Sequence, residues 1–306
     1  MQSFRSPRFK RAEVPPIQLT ERDGEIIRLV HKYRFLYSSQ VIRVLGNASS
    51  QPILRRLQLL YHHGYLERPR AQLEYYHEAG SRPIVYSLGE KGAALLNDNL
   101  AITFKRLHRR QKKESIGKMF LEHELFVSEI MVGLELACRA SGRVRLLTGQ
   151  DLLLNGSKRS APFKWYVNVR PGLRLSVVPD QVFALEVSDQ EGKPDRAYFF
   201  LEADRGTMPV KRKNLIQTSF FRKLLAYETT WVQSIHQKRF GFHRFRALTI
   251  TTSPDRVRSL IKACGELQRG HGLFLFADRT VLERPSDILS RMWQTGKLGE
   301  ATSLLN

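Results

Sequence analysis

The chain is poor in the residues on which several chemistries depend. It has two cysteines in 306 residues, Cys138 and Cys264. Two thiols so far apart build neither a disulfide framework nor a thiolate metal site. Long apolar runs are missing, since none approaches the roughly 18–20 residues that span a bilayer. The basic start, Met1 to Lys10, has no apolar stretch behind it and does not read as a secretory signal. There is no G-x-x-x-x-G-K-[ST], C-x-x-C, H-E-x-x-H or G-x-S-x-G, which removes P-loop ATPases, common zinc sites and serine hydrolases of the elbow type. The nine histidines never form His-x-His, and His62 and His63 are directly adjacent. That spacing excludes the His-hydrophobic-His metal pair used by one class of DNA-nicking enzymes. No fixed-period repeat is visible. The expectation is a cytoplasmic protein with no membrane partner.

Acid is the other scarcity. Lys and Arg number 50 against 29 Asp and Glu, a net charge of +21 and a pI near 10.3. Hydrophobic residues make up 42% and aromatics 10%, so this charge sits on a folded protein and not on a disordered tail. A folded chain this positive points to a polyanion, and nucleic acid is the leading candidate.

The first hundred residues read as a DNA-binding domain. Arg5, Arg8, Lys10 and Arg11 precede Pro15-Pro16, giving a mobile basic arm over 1–18. Thr20 with Asp23 forms a helix-start signature, and Ile26, Ile27, Val30 and Tyr33 recur at helical spacing behind it. Ser38 or Ser39 starts a second helix, which Gly46 stops. Pro52 opens a third, with Ile53, Leu57, Leu60 and Tyr61 as its buried stripe. Tyr65–Glu67 and Ile84–Leu88 read as short strands, followed by a helix from Glu90 to about Leu100. Three helices and a two-stranded wing predict a winged helix-turn-helix over 19–103, its third helix entering the major groove. Arg55, Arg56 and Gln58 on that helix are the candidate DNA contacts. The plainer alternative is a solvated helix face. Lys105, Arg106, Arg109, Arg110, Lys112 and Lys113 make 104–118 a basic linker suited to phosphates.

Residues 119–306 predict a layered α/β domain with a mixed sheet. Its strongest elements are a helix over 120–140, a hairpin of 177–187 with 197–202, and a helix over 214–231. A strand at 245–252, a helix over 254–268 and a strand at 273–276 complete it. Within the hairpin, Asp180 follows Pro179, and Glu202 and Asp204 lie two apart on one strand face. Convergence of these three acids would call for a hard cation, and Mg²⁺ or Mn²⁺ prefers such oxygens. Lys223 and Tyr227, four apart on the next helix, share a face. Lys223 is placed to assist at a phosphate, and Tyr227 is the candidate for a tyrosine mechanism. Turn formation by Asp180 and pairing of Glu202 and Asp204 with Arg205 or Lys211 is the competing reading. The Trp165-Tyr166 pair reads as packing or an edge strand before a base-stacking platform.

Several stretches, in this order, carry a resemblance. They are LTERDGEIIRLVHKYRFLYSSQVIRVL, RPIVYSLGEKGAALL, VVPDQVFAL, FFLEADRGTMP, FRKLLAY and RALTITTSPDRVRSLI. Over about residues 19–290 the chain resembles the replication-relaxation family of plasmid proteins, which includes MobC-type relaxases. The resemblance implies an α/β (α+β overall) chain: a winged helix followed by a restriction-endonuclease-like, PD-(D/E)xK-type domain. Asp180 and Glu202 fall on its two carboxylate positions. The usual lysine two residues after the glutamate is Asp204 here, leaving Lys223 as an inferred replacement. Glu122 or Glu124 would be an assisting acid, against the plainer reading of a polar helix surface. The implied activity is metal-dependent nicking of double-stranded DNA at an origin of transfer or replication, with Asp180, Glu202 and Asp204 holding Mg²⁺ or Mn²⁺. Implied partners are that DNA and accessory mobilization or replication proteins, inside a prokaryotic cell. The alternative is a regulator or replication accessory protein whose nuclease fold is degenerate.

Overall fold

A computed structural model describes residues 8–46, 49–75, 82–96, 117–152, 163–188 and 194–306. Contacts divide the chain into two compact units, Met1–Val132 and Gly133–Asn306.

In the first unit, helices α1 (Glu21–Tyr33), α2 (Ser38–Leu45) and α3 (Gln51–His62) pack around Ile26, Ile27, Val30, Val41, Ile53, Leu57 and Leu60. Thr20 and Asp23 close the expected capping box on α1. Gly46 ends α2 in the left-handed conformation, with φ of 66°. One further strand, β1 (Phe35–Tyr37), is too short for its alternation to show in the sequence. It completes a three-stranded antiparallel sheet with β2 (Leu66–Glu67) and β3 (Val85–Leu88), in the order β1-β3-β2. Helix α4 follows at Glu90–Leu96. Gly92 lies so close to the chain that a Cβ would stand 2.3 Å from the Tyr65 carbonyl oxygen. This element order is that of a winged helix-turn-helix.

Helix α5, Lys118–Ser141, is expected to open the second domain at 119. Instead Leu121 and Leu125 pack with Phe35 and Val85, so the first turns of α5 belong to the first unit. Most of the linker expected at 104–118, with Lys105, Arg106, Arg109, Arg110, Lys112 and Lys113, lies outside the described residues.

The second unit is built on a seven-stranded mixed sheet. Its strands are β4 (Val144–Thr148), β7 (Gln181–Ser188), β8 (Pro194–Ala203), β9 (Arg246–Thr251), β10 (Phe274–Asp278), β11 (Trp293–Thr295) and β12 (Ala301–Thr302). They lie in the order β12-β11-β10-β9-β8-β7-β4. β4, β7 and β8 form an antiparallel meander; β8, β9 and β10 are parallel. Parallel neighbours need crossovers. Helices α6 (Phe220–Val232) and α7 (Ile235–Phe240) make the first, and α8 (Pro254–Cys264) the second. The same handed crossover puts α6 and α8 on one sheet face. There Leu224, Tyr227, Leu260 and Ile261 share a core with Val182, Ala184, Phe200 and Phe276. A separate two-stranded ribbon, β5 (Trp165–Arg170) with β6 (Leu173–Val177), packs its inner face into that core.

The basic arm is tied down where it is described. The Ala12 amide donates to His62 Nδ1 at 3.0 Å, and Arg11 bonds Glu67 and the Leu66 carbonyl. Over these residues α3 and β2 supply the arm with partners. Burial first, then Arg68, His63 and Arg11, lower the His62 pKa. The folded value therefore lies below the ordinary ~6.5, so this attachment is complete above that value and lost as pH falls through the lower folded one. Hydrogen exchange checks it: Ala12 amide protection beyond the intrinsic rate is expected at pH of about 7.5 and is lost as a pH series is taken down through the lowered His62 value. Equal protection in His62→Ala would contradict the arrangement.

Candidate active site and nucleic-acid interface

The expected acids lie at the carboxyl end of β8. Gln181 pairs with Leu201, so one further step along the register sets Asp180 opposite Glu202. The Asp180 amide donates to the Leu201 carbonyl at 3.0 Å, and the Ala203 amide donates to Asp180 Oδ2 at 2.8 Å. Asp180 is half-buried; Glu202, on the same sheet face, is 2% exposed.

A carboxylate buried that deeply needs partners. Helix α6 supplies both. Lys223 Nζ forms an ion pair with Glu202 Oε2, and the Tyr227 hydroxyl donates to Glu202 Oε1 at 2.5 Å. The two side chains stand one helical turn apart, which aims both at one carboxylate. The helix starts at Phe220 and not at the expected 214, because the Phe220 and Phe221 amides bond the Pro209 and Val210 carbonyls. Burial disfavours the Lys223 charge, but Glu202, Asp180 and Asp204 outweigh it and raise its pKa, so the ammonium persists across the neutral range. The Tyr227 phenol is pushed well above its ordinary range by burial and by Glu202. Its ring, 1% exposed, stacks on Phe200 at 5.7 Å and meets Trp165 edge-on at 6.4 Å. Tyr227 therefore positions Glu202; a phenol enclosed this way has no open path to phosphorus.

Asp204 departs from the expected convergence. Beyond the end of β8 its carboxylate turns to α8, where Arg256 Nε donates to Oδ2 at 2.8 Å and Nη2 to Oδ1 at 3.2 Å. The Thr251 hydroxyl adds a bond to Oδ2 at 2.8 Å. A buried carboxylate held by a guanidinium fork is a structural pair. Lys211, one of the expected partners, pairs instead with Glu266. Local spacing gave no sign of Arg256, which arrives through the β9–α8 crossover.

Among the described residues, no group of three or more His, Cys, Asp or Glu is placed to hold a metal ion. The three-acid site expected for Mg²⁺ or Mn²⁺ does not form, because Arg256 takes Asp204. What fits is narrower. Asp180 and Glu202 face each other across the hairpin, and Mg²⁺ is commonly held by one or two carboxylates, with waters and substrate phosphate completing its shell. Glu124, an expected assistant, is paired with Arg34.

On α3, adjacent arginines divide. Arg56 is turned inward, its Nε donating to Asp23 Oδ1 at 2.7 Å, its Nη2 bonding Asp23 Oδ2 and donating to the Gln18 carbonyl at 3.1 Å. Asp23 is fully buried: burial works to raise its carboxyl, but Arg56 and Thr20 win and hold it below its ordinary value. Arg56 thus anchors α3 to α1 and is withdrawn from the expected DNA contacts. Gln51, Arg55 and Gln58 are exposed at helical spacing and form the outward stripe.

Residues 27–244 match the replication-relaxation family. The chain belongs to this family. Membership ties it to replication and mobilization, and through them to interaction with DNA. No curated protein and no solved structure matches the chain. No helix among the described residues is long and apolar enough to cross a membrane.

Removing Arg256 would leave Asp204 buried without its cation. Arg256→Ala is expected to cost about 3–5 kcal/mol in denaturant unfolding. Asp180→Asn keeps an acceptor for the Ala203 amide and is expected to stay within about 1 kcal/mol of the parent protein.

Proposed function

We propose that the protein binds duplex DNA through the exposed face of α3 and cleaves one strand at the Asp180–Glu202–Lys223 centre, at an origin of transfer or replication of a mobile element. The observation that carries this reading is that Lys223 reaches Glu202 from α6. The lysine absent at position 204 is supplied from a helix, opposite Asp180.

In this reading Asp180 and Glu202 hold Mg²⁺ or Mn²⁺, which when bound supplies a hydroxide nucleophile and charge neutralisation at the phosphate. Asp180 and Lys223 are the more open members of the centre; the Lys223 side chain is 33% exposed. Its ammonium is available to the negative charge that grows on the phosphate oxygens. Tyr227 fixes the Glu202 carboxylate, which points α6 and its lysine at the same spot. Water is the attacking group, since Tyr227 is enclosed.

One observation favours a second reading. Both Glu202 oxygens have protein partners and Asp204 is satisfied by Arg256, so the acids are compensated without any ion. A DNA-binding regulator or replication accessory protein with a degenerate nuclease fold would look the same. Supercoiled plasmid carrying the element's origin, incubated with protein and Mn²⁺, separates them. Nicking is expected in the parent protein, lost in Asp180→Asn, with no denaturant-resistant protein–DNA adduct. Intact plasmid under all conditions selects the regulator.

The two arginines of α3 provide an independent test. Arg55→Ala is expected to weaken duplex binding at least about tenfold with an unchanged Tm, the size of one lost base or phosphate contact. Arg56→Ala is expected to cost about 3 kcal/mol of stability by stranding Asp23. The reverse assignment, measured by anisotropy and thermal unfolding, would refute this division.

A further inference from the structure

The β5–β6 ribbon has two unlike faces. Trp165, Val167, Leu175 and Val177 point inward, and the Trp165 indole N–H donates to Thr230 on α6 at 2.9 Å. The ribbon is pinned at two further points. Gln233 donates to the Asn168 carbonyl at 2.9 Å, and Arg239 to the Lys164 carbonyl at 2.8 Å. The outward face carries Tyr166, Asn168, Arg174 and Ser176; Arg170, past a β-bulge that breaks the alternation, is exposed at the hairpin end opposite Leu173. Tyr166 pairs with Ser176 and Asn168 with Arg174 across the strands. Tyr166 is 49% exposed, and the Arg174 guanidinium lies 4.4 Å from its ring centroid. No Asp or Glu occurs between Phe163 and Val178. The chain leaving β6 at Val177 reaches Asp180 within three residues, so the ribbon adjoins the acidic centre through continuous backbone.

An exposed aromatic on a rigid support, backed by a guanidinium and flanked by a second arginine, meets the needs of an unpaired nucleotide. The ring offers a stacking surface to any base, and the arginines neutralise the backbone. A double helix has no free base faces to stack, so this arrangement gains most from single-stranded DNA. We infer that the outward face of the β5–β6 ribbon holds single-stranded DNA near Asp180, stacking a base on Tyr166 and pairing a phosphate with Arg174, with Arg170 exposed at the hairpin end for the next. The inference rests on the DNA-cleaving reading above and adds a substrate class to it: the strand is melted where it is held. Trp165, by contrast, is core.

The experiment uses the full chain and two probes, a fluorescent single-stranded oligonucleotide of mixed sequence and a duplex of the same sequence. Tyr166→Ala and Arg174→Ala are each expected to weaken single-strand binding about tenfold, the size of one lost base stack. Duplex affinity and Tm should not move, because both side chains face solvent. Tyr166→Phe, which keeps the ring, is expected to retain parent affinity. Single-strand affinity that is absent in the parent, or equal in Tyr166→Ala and Arg174→Ala, overturns the inference. Loss of duplex binding in Arg55→Ala reports on the DNA-binding reading separately, so the two can fail independently.

Discussion

The second unit depends on one constraint: the carboxyl of Glu202 is taken out of water at the end of a central strand, where burial raises its pKa and Lys223 and Tyr227 work to keep its charge. An ionised carboxylate there is tolerated only with a cation and hydrogen bonds in good geometry. Lys223 and Tyr227 supply both from successive turns of α6, which fixes that helix in rotation and height over the sheet. The aromatic cluster of Trp165, Phe200, Tyr227 and Phe245 then packs around the buried phenol. The ribbon is drawn into the same arrangement, because Trp165 bonds Thr230 on that helix.

The same rule recurs across both units. Asp23 is held by Arg56, Asp204 by Arg256, and Glu186 by Arg145 and Arg196, each a buried acid with its own guanidinium. These pairings spend part of the basic excess on architecture. The cations that remain outward, among them Arg55 on α3 and Arg170 on the ribbon, are those available to a polyanion. The +21 charge is therefore two populations, one structural and one facing solvent.

Elements with strong local signals were legible in the sequence: the capped α1, Gly46 after α2, Pro52 in α3, and the β7–β8 hairpin with its acids. The pairing of Lys223 and Tyr227 followed from helical spacing alone. What failed depended on distant partners. Asp204 shares a strand face with Glu202, but Arg256 arrives through a parallel crossover that no local spacing encodes. Arg56 looked as exposed as Arg55 until α1 placed Asp23 beneath it. Trp165-Tyr166 read as packing or an edge strand, and strand alternation sends one ring inward and the other outward. Short strands such as β1 and β12 carry too few residues for a period to show.

The most direct measurement is a double-mutant cycle on the buried pair, using denaturant unfolding of Lys223→Met, Glu202→Gln and the combined protein. Lys223→Met alone should cost about 3 kcal/mol or more, since it leaves Glu202 buried and uncompensated. The combined protein should recover a large part of that loss, a coupling of about 1–3 kcal/mol. Strictly additive effects, or a Lys223→Met protein as stable as its parent, would contradict the claim that this pair organises the site.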